Sequence, residues 1–208
     1  QLPMSVDDAI RARVSALTPS ERVLLEQASC MGGVFWLGAL VALSRVGNET
    51  PELWGGHESL VTYYEQSLES LAARDYVLRM PDASLPGEVE YAFKHNLERE
   101  TLYRLASRQQ MRTFHRVVAE WIEFRTEQRG EEHLEMLARH YEEGGRQGRA
   151  AACLLEAGHL ARTRHAPDKA AEFFGRGLEL LDEDDDVQRR VRALHAYGDV
   201  LQTDRKSV

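Results

Sequence analysis

The stretch YVLRMPDASLPGEVEYAFKHN, from Tyr76 to Asn96, decides the fold. Two runs rich in β-branched and aromatic residues, Tyr76–Met80 and Glu88–Phe93, flank the segment PDASLPG, which has the composition of a turn. This pattern predicts a long β-hairpin, the one convincing β signal in the chain. Helical periodicity resumes from Lys94 onward, so the hairpin is predicted to lie between helices.

The residues before the hairpin carry helix signals. Ser5 has the character of an N-cap followed by acidic residues, and TPSE, from Thr18 to Glu21, combines a cap, a first-turn proline and a glutamate three residues after the cap. We expect this second helix to end at Met31, and then a short apolar helix over Phe35 to Arg45, a loop over 46–56 and a helix to about Arg74. Several helices, a hairpin and a further helix form the outline of a winged helix, which we assign to residues 1–106.

The remainder of the chain is predicted to be helical. Apolar residues recur on one face of a helix from about Arg108 to Arg125, which lies inside a connecting segment over 107–130. Four further helices are predicted within 131–208, separated at Gly144–Gly145, at Pro167 and at the acidic run Asp182–Asp186.

Small residues at helical spacing indicate a repeat in this last region. Tetratricopeptide helix pairs place small residues where two helices cross closely. One register comprises Ala157, Gly158, Ala161, Ala170, Phe174 and Gly177, and a second comprises Leu134, Leu137, Ala138, Tyr141, Ala150, Leu154 and Ala157. The two registers share one helix, so we expect an irregular first unit. The predicted fold class is therefore mainly α, a winged-helix domain with one β-hairpin followed by tetratricopeptide-like repeats.

Composition limits the classes of function. The 208 residues carry a formal net charge of −8, which disfavours nucleic acid as the main partner because phosphate binding needs a basic surface. We find no signal peptide and no apolar run that could span a membrane, and we expect a cytoplasmic protein with no membrane partner. Cys30 and Cys153 lie in apolar helical patterns without metal-binding spacing, which predicts buried thiols.

No enzyme signature is found in the sequence. A phosphate-binding GxxxxGK[ST] loop is missing, and we find no Ser, His and Asp set in a nucleophile context. His133 and His140 could share a helix face, but no HExxH motif or Cys/His cluster accompanies them, so we expect no metal site. We therefore predict a non-catalytic chain that holds no cofactor of its own.

Arginines recur every four residues at Arg104, Arg108, Arg112 and Arg116, across one helix end into the next helix. Such spacing predicts one basic stripe. It is either a solvated face, partly paired with Glu120, or a docking surface for an acidic partner domain or a phosphate. We select these four arginines and Tyr141 as candidate contacts for a protein partner.

Two segments together resemble a known arrangement. Residues 2–40, from LPMSVDDAI to WLGAL, and residues 71–103, from LAARDYV to RETLY, resemble the region that follows the ATPase core in bacterial STAND-type signalling ATPases. In that family a winged helix leads into tetratricopeptide repeats. The resemblance extends over residues 2–181. The segments PELWGG and FKHNLERE are most similar to members linked to serine/threonine kinases. Similar segments occur in LuxR-type regulators.

The resemblance implies a role for His95. In the family a Met-His-Asp motif at a helix start places its histidine on the β-phosphate of ADP, which holds the resting state closed. Lys94, His95 and Asn96 occupy this place, with asparagine in the position of the aspartate. A helix N-terminus also presents free N–H groups to an anion. The alternative is that His95 only caps its own helix.

The resemblance implies a regulatory module that contacts an upstream ATPase domain of the same chain and a protein partner through its helical repeats. ADP or ATP is expected for the full-length protein. The alternative function is transcriptional DNA binding through the winged helix. That alternative needs a basic recognition helix, whereas the candidate segment EQSLESLAAR, residues 65–74, is acidic.

Overall fold

The computed structural model describes residues 5–45, 57–126, 131–181 and 187–205. These residues form ten helices and three strands, so the chain is mainly helical, as predicted. The helices are α1 Val6–Ser15, α2 Pro19–Ser29, α3 Leu37–Ser44, α4 His57–Ala73, α5 Asn96–Leu105, α6 Arg108–Arg125, α7 Glu131–Glu143, α8 Gln147–Thr163, α9 Pro167–Glu179 and α10 Val187–Arg205. The strands are β1 Val34–Trp36, β2 Val77–Arg79 and β3 Glu90–Phe93.

The chain divides into two compact units, Gln1–Trp121 and Ile122–Val208. The division falls inside α6, the helix that the sequence predicted within the connecting segment 107–130. The predicted loop over 46–56 and the acidic run 182–186 lie outside the described residues.

Both predicted helix starts in the first unit are confirmed. Ser5 accepts a hydrogen bond from the Asp8 amide at 3.1 Å, and the Asp8 carboxylate accepts one in return from the Ser5 amide. Thr18 and Glu21 make the same reciprocal pair at the start of α2, with Pro19 at the first helical position. These bonds satisfy backbone N–H groups that have no partner within the helix.

The sheet has three antiparallel strands in the order β1-β3-β2, with Val34 opposite Ala92 and Val77 opposite Phe93. The predicted hairpin is confirmed as β2 and β3. The expectation of a helix from Phe35 is wrong, because Phe35 and Trp36 belong to β1 and α3 begins only at Leu37. Phe35 is fully buried and its ring stacks on Tyr91 at 5.8 Å, so pairing with β3 outweighs the local helical pattern.

Carboxylates hold the hairpin connection in place. Glu90 is buried, and its Oε2 accepts hydrogen bonds from the Trp36 indole at 2.9 Å and the Ser84 amide at 2.8 Å. Glu88 accepts from the Gly38 amide at 3.3 Å, at the start of α3. These hydrogen bonds attach the hairpin to β1 and α3, which precede it by about 50 residues.

The second unit contains α7 to α10, with helix ends where glycine and proline predicted them. Gly145 follows α7 with φ of 73°, and Pro167 opens α9. A Cβ added to Gly158 would lie 2.9 Å from the Phe174 ring, and one added to Gly177 would lie 2.9 Å from Leu155. The predicted close crossing by small residues is therefore confirmed between α8 and α9.

Both cysteines are buried thiols that form no disulfide, as the sequence predicted. Within the described ranges, none of the helices combines the length and the apolar composition needed to cross a membrane.

Candidate functional site

The turn from β3 into α5 places Lys94, His95 and Asn96 at the surface. The Lys94 amide donates to the Tyr76 carbonyl at 3.0 Å, which extends the sheet pairing up to this point. His95 is the N-cap of α5 with extended backbone angles, φ −128° and ψ 116°, and its carbonyl accepts from the Glu98 amide at 3.2 Å. The three residues lie at the start of a helix, as the sequence predicted, and all three are exposed.

Lys94 is engaged within the unit. Its ammonium group pairs with Asp75, a residue with φ of 63° between α4 and β2. The hydrogen bond and charge of Lys94 lower the pKa of the Asp75 carboxyl group, with smaller contributions from Arg13 and His95. Lys94 therefore attaches the start of α5 to the sheet.

Asn96 is engaged within its own helix. Its side-chain amide donates to Glu100 at 2.9 Å, and its oxygen accepts from Arg99 at 2.8 Å. His95 differs from both neighbours, because its side chain makes no cap hydrogen bond. His95 therefore occupies the N-cap position of α5, as the capping alternative expects, and contributes its backbone there while the residue is exposed beside the first turn.

The first turn of α5 also contains one partner of an ion pair, a buried carboxylate. Glu98, in the first turn of α5, is 2% exposed and accepts a hydrogen bond from Arg13 of α1. The same guanidinium donates to the Asp75 carbonyl at 3.1 Å and lies 4.4 Å from the centre of the Tyr76 ring. The Tyr76 hydroxyl returns a hydrogen bond to the Arg13 carbonyl at 2.7 Å. The hydrogen bond to Glu98 raises the pKa of Arg13.

Sequence reasoning missed this cluster. Arg13 and Glu98 are 85 residues apart, and each alone has the pattern of a solvated helix residue. The cluster joins α1, the start of β2 and α5, so it sets the position of the helix that begins after His95.

The four predicted arginines do not share one helix. Arg104 lies in α5, the helix breaks at Ala106, and Ser107 caps α6 by accepting from the Gln110 amide at 3.3 Å. Arg104, Arg108 and Arg112 are exposed, whereas Arg116 is half-buried. Their described partners are weak or local. Arg104 lies 3.7 Å from Glu100, and Arg116 donates to the Arg112 carbonyl at 3.3 Å, in place of the predicted pair with Glu120.

Tyr141 lies inside the second unit and not on its surface. It is 2% exposed, and its hydroxyl donates to Glu123 at 2.7 Å and accepts from Arg149 at 3.0 Å. Burial and then the Glu123 hydrogen bond raise the pKa of Tyr141 to about 12. The expected contact of Tyr141 with a protein partner is therefore corrected: the side chain packs inside the unit. The sequence register that selected Tyr141 marks residues that lie between helices, and such residues are buried.

One open cavity of about 350 Å³ lies in the second unit, lined by Arg162, His165, Pro167, Asp199 and Val200. Across the described residues, no three or more His, Cys, Asp and Glu side chains converge as metal ligands would. His140 is fully buried, and His133 does not join it in such a group.

Comparison of the chain with known protein families, with curated proteins and with solved structures found no match.

Proposed function

We propose that this chain is a non-catalytic regulatory and protein-interaction module of a multidomain signal-transduction ATPase. The observation that carries the proposal is the exposed imidazole of His95 at the start of α5, without a cap hydrogen bond, between two neighbours that are engaged elsewhere. In this proposal the first unit couples the nucleotide state to the helical second unit.

The element order supports a winged helix in the first unit. α2 is followed by β1, then α3 and α4, then the hairpin β2–β3, with β3 in the centre of the sheet. This is the order and pairing expected of a winged helix, in which a short first strand joins the hairpin. The sequence analysis did not predict β1. The pairing of β1 with β3 therefore supports the winged-helix assignment independently of the sequence.

The second unit supports a tetratricopeptide-like repeat. α8 and α9 form a helical hairpin whose connection has three residues, 164–166. Glycines lie where the two helices cross. Such helix pairs present extended surfaces for peptides or domains, so we assign the partner-binding role to this unit.

The nucleotide-sensing role rests on His95 alone. A neutral or protonated imidazole can donate a hydrogen bond to a phosphate oxygen, and the first N–H groups of α5 favour an anion nearby. Lys94 and Asn96 act indirectly, since their contacts hold the turn in which His95 lies. ADP or ATP would be bound mainly by the ATPase domain expected upstream in the same chain.

The test uses a protein that includes this ATPase domain. After purification and denaturation, chromatography would quantify released ADP and ATP for the wild type, for His95→Ala and for the control His195→Ala. His195 is also an exposed histidine, but it lies on α10. We expect wild type and His195→Ala to retain ADP. The amount of ADP released from His95→Ala should be at least tenfold smaller than that from wild type.

Equal ADP retention by all three proteins would reject the sensing role. The absence of nucleotide from all three would reject the link to an ATPase. Robust ATP hydrolysis by the 208-residue chain alone would contradict its non-catalytic character.

A further inference from the structure

Helices α4, α7 and α8 end in the same way but differ at the position that favours glycine. The third residue beyond each helix donates its amide to the carbonyl five residues earlier, at 3.0, 2.7 and 3.0 Å. This closure places the second residue beyond the helix at a positive φ, where glycine is preferred. The residue is Gly145 after α7, with φ of 73°, but Asp75 after α4 and His165 after α8, with φ of 63° and 59°.

A larger side chain at such a position calls for a reason, because its Cβ makes a positive φ unfavourable. Asp75 has one, since its carboxylate pairs with Lys94. The His165 side chain has no hydrogen-bond or ion-pair partner among the described residues. It lines the open cavity of about 350 Å³ in the second unit. The cavity is therefore the feature of its surroundings that accounts for a histidine here.

The cavity combines apolar walls with two side chains that donate hydrogen bonds. Pro167 and the buried Val200 supply the apolar surface. Arg162, in the last turn of α8, is exposed like His165 and also has no hydrogen-bond or ion-pair partner within the described ranges. A guanidinium and an imidazole N–H both donate to anionic oxygens, and this volume is within the range of small-molecule sites. The ligand that fits has a negative group and an apolar body.

Asp199 of α10 limits the negative charge that the cavity accepts. Its carboxylate belongs to the same lining and lies 3.6 Å from the His195 imidazole. A ligand with two negative charges, such as a phosphate monoester, would bring like charge near this carboxylate, which opposes binding. A group with a single negative charge meets less repulsion.

We propose that this cavity binds a small organic monocarboxylate with an apolar body. The ligand carboxylate accepts hydrogen bonds from Arg162 and His165, and the apolar body lies against Pro167 and Val200. The turn at His165 holds the imidazole at the cavity before the ligand arrives, which reduces the cost of ordering it. This site goes beyond the nucleotide-sensing role of His95 and does not depend on it, so its test needs no ATPase domain.

Three probes of similar shape test the charge preference on the intact 208-residue chain. Phenylacetate carries one negative charge, phenylacetamide carries none and phenyl phosphate carries up to two. Binding would be followed through the amide chemical shifts of nitrogen-15-labelled protein. We expect saturable shifts with phenylacetate at a Kd of about 1 mM or below, and binding of the other two probes at least about fivefold weaker. The proposal is overturned by phenylacetate that causes no saturable shifts up to about 10 mM, or by either other probe that binds as tightly.

The variant His165→Gly separates a role in binding from a role in the fold. Glycine relieves the backbone at a positive φ, so the Tm should rise by about 2 °C. Loss of the imidazole should weaken phenylacetate binding at least about threefold. Asp75→Gly is the matched control, because it makes the same kind of change at the equivalent position after α4, and it should leave phenylacetate binding unchanged. A lower Tm for His165→Gly, or unchanged binding, would show that His165 serves the fold and would overturn the proposal.

The variant Arg162→Gln tests the charge at the cavity. Loss of the guanidinium should weaken phenylacetate binding at least about tenfold, with helicity by circular dichroism retained. Arg11→Gln, at an exposed arginine of α1, is the control and should bind phenylacetate as wild type does. Undiminished binding by Arg162→Gln, or an equal loss in Arg11→Gln, would place the anion elsewhere and reject the site.

Discussion

At the scale of single residues, Arg13 carries the most connections near the candidate site. It compensates the buried carboxylate of Glu98 and also holds the Asp75 carbonyl and the Tyr76 ring. A buried carboxylate without a cation is strongly unfavourable, so the cost of losing Arg13 should arise mainly at Glu98. Arg13 is itself 37% exposed, and solvent therefore reduces this cost.

We predict that Arg13→Met destabilises the chain by about 1–3 kcal/mol in urea unfolding at neutral pH. The control is Arg22→Met, which removes an exposed ion pair to Glu26 at 2.9 Å and should change stability by less than about 0.5 kcal/mol. The double variant Arg13→Met, Glu98→Leu should regain part of the loss. Equal effects of Arg13→Met and Arg22→Met would show that Glu98 does not depend on its partner.

The buried phenol of Tyr141 predicts that the stability of the folded chain depends on pH in the alkaline range. Its pKa rises to about 12 in the folded protein because the ring is buried and its hydroxyl donates to Glu123. The unfolded value is about 10, so the folded state holds the phenol proton more tightly and the stabilisation is complete below pH 10. It is lost as the pH rises through the folded pKa, and it amounts to about 3 kcal/mol at most.

We therefore predict that wild-type stability falls between about pH 10 and about pH 12 and that Tyr141→Phe shows a smaller fall. Near pH 7 the same variant should lose about 1 kcal/mol with the hydrogen bond. Tyr63→Phe, at a tyrosine with 49% exposure, is the control and should follow the wild-type curve. Urea titrations at each pH supply the free energies of unfolding, and identical slopes in all three proteins would refute the assignment.

At the scale of elements, α8 and α9 pack closely because glycines at their crossing have no side chain. Phe174 occupies the space beside Gly158, and Leu155 occupies the space beside Gly177. Any side chain at either glycine must displace its neighbour, since interiors are closely packed. Gly175 lies in the same helix as Gly177, but a Cβ there would be 3.7 Å from the Tyr197 hydroxyl, an ordinary contact.

We predict opposite signs for two alanine substitutions. Gly158→Ala should destabilise the chain by about 1–3 kcal/mol, because its methyl group collides with the buried Phe174 ring. Gly175→Ala should stabilise it by up to about 1 kcal/mol, because alanine favours the helix and its methyl group would make only an ordinary contact at 3.7 Å. Thermal unfolding by circular dichroism checks both, and a stabilising Gly158→Ala would contradict the observed close packing.

At the scale of the whole molecule, charge opposes the alternative function of DNA binding. The net charge is −8, and α4, the helix before the hairpin, exposes Glu69 and half-exposes Glu65. A recognition helix needs basic and amide side chains toward the bases and phosphates. The exposed arginines of the first unit are instead distributed over several elements, for example Arg11 in α1, Arg79 in β2 and Arg104 in α5.

We predict no salt-dependent mobility shift of duplex DNA at protein concentrations up to about 10 µM and about 150 mM salt. The variant Glu65→Lys, Glu69→Lys serves as a positive control, since reversing two charges on α4 should increase non-specific retention. A wild-type shift that weakens steeply with added salt would restore the DNA-binding alternative.

Features that a few neighbouring residues encode could be predicted without the structure. The capping residues Ser5 and Thr18 mark helix starts, the run from Tyr76 to Phe93 marks the hairpin, and glycine and proline mark the ends of α7 and the start of α9. The sequence also located His95 at a helix start. Each of these signals depends on local backbone preferences and hydrogen bonds, which act over one or two turns of chain.

Features that depend on partners distant in sequence become visible only in the folded chain. Phe35 and Trp36 form a strand because β3 pairs with them, although their own sequence continues an apolar helix. Glu98 is buried because Arg13 reaches it, and Tyr141 is internal because Glu123 and Arg149 surround its hydroxyl. In each case the environment comes from residues remote in sequence, and the burial and pairing that they provide outweigh the local preference.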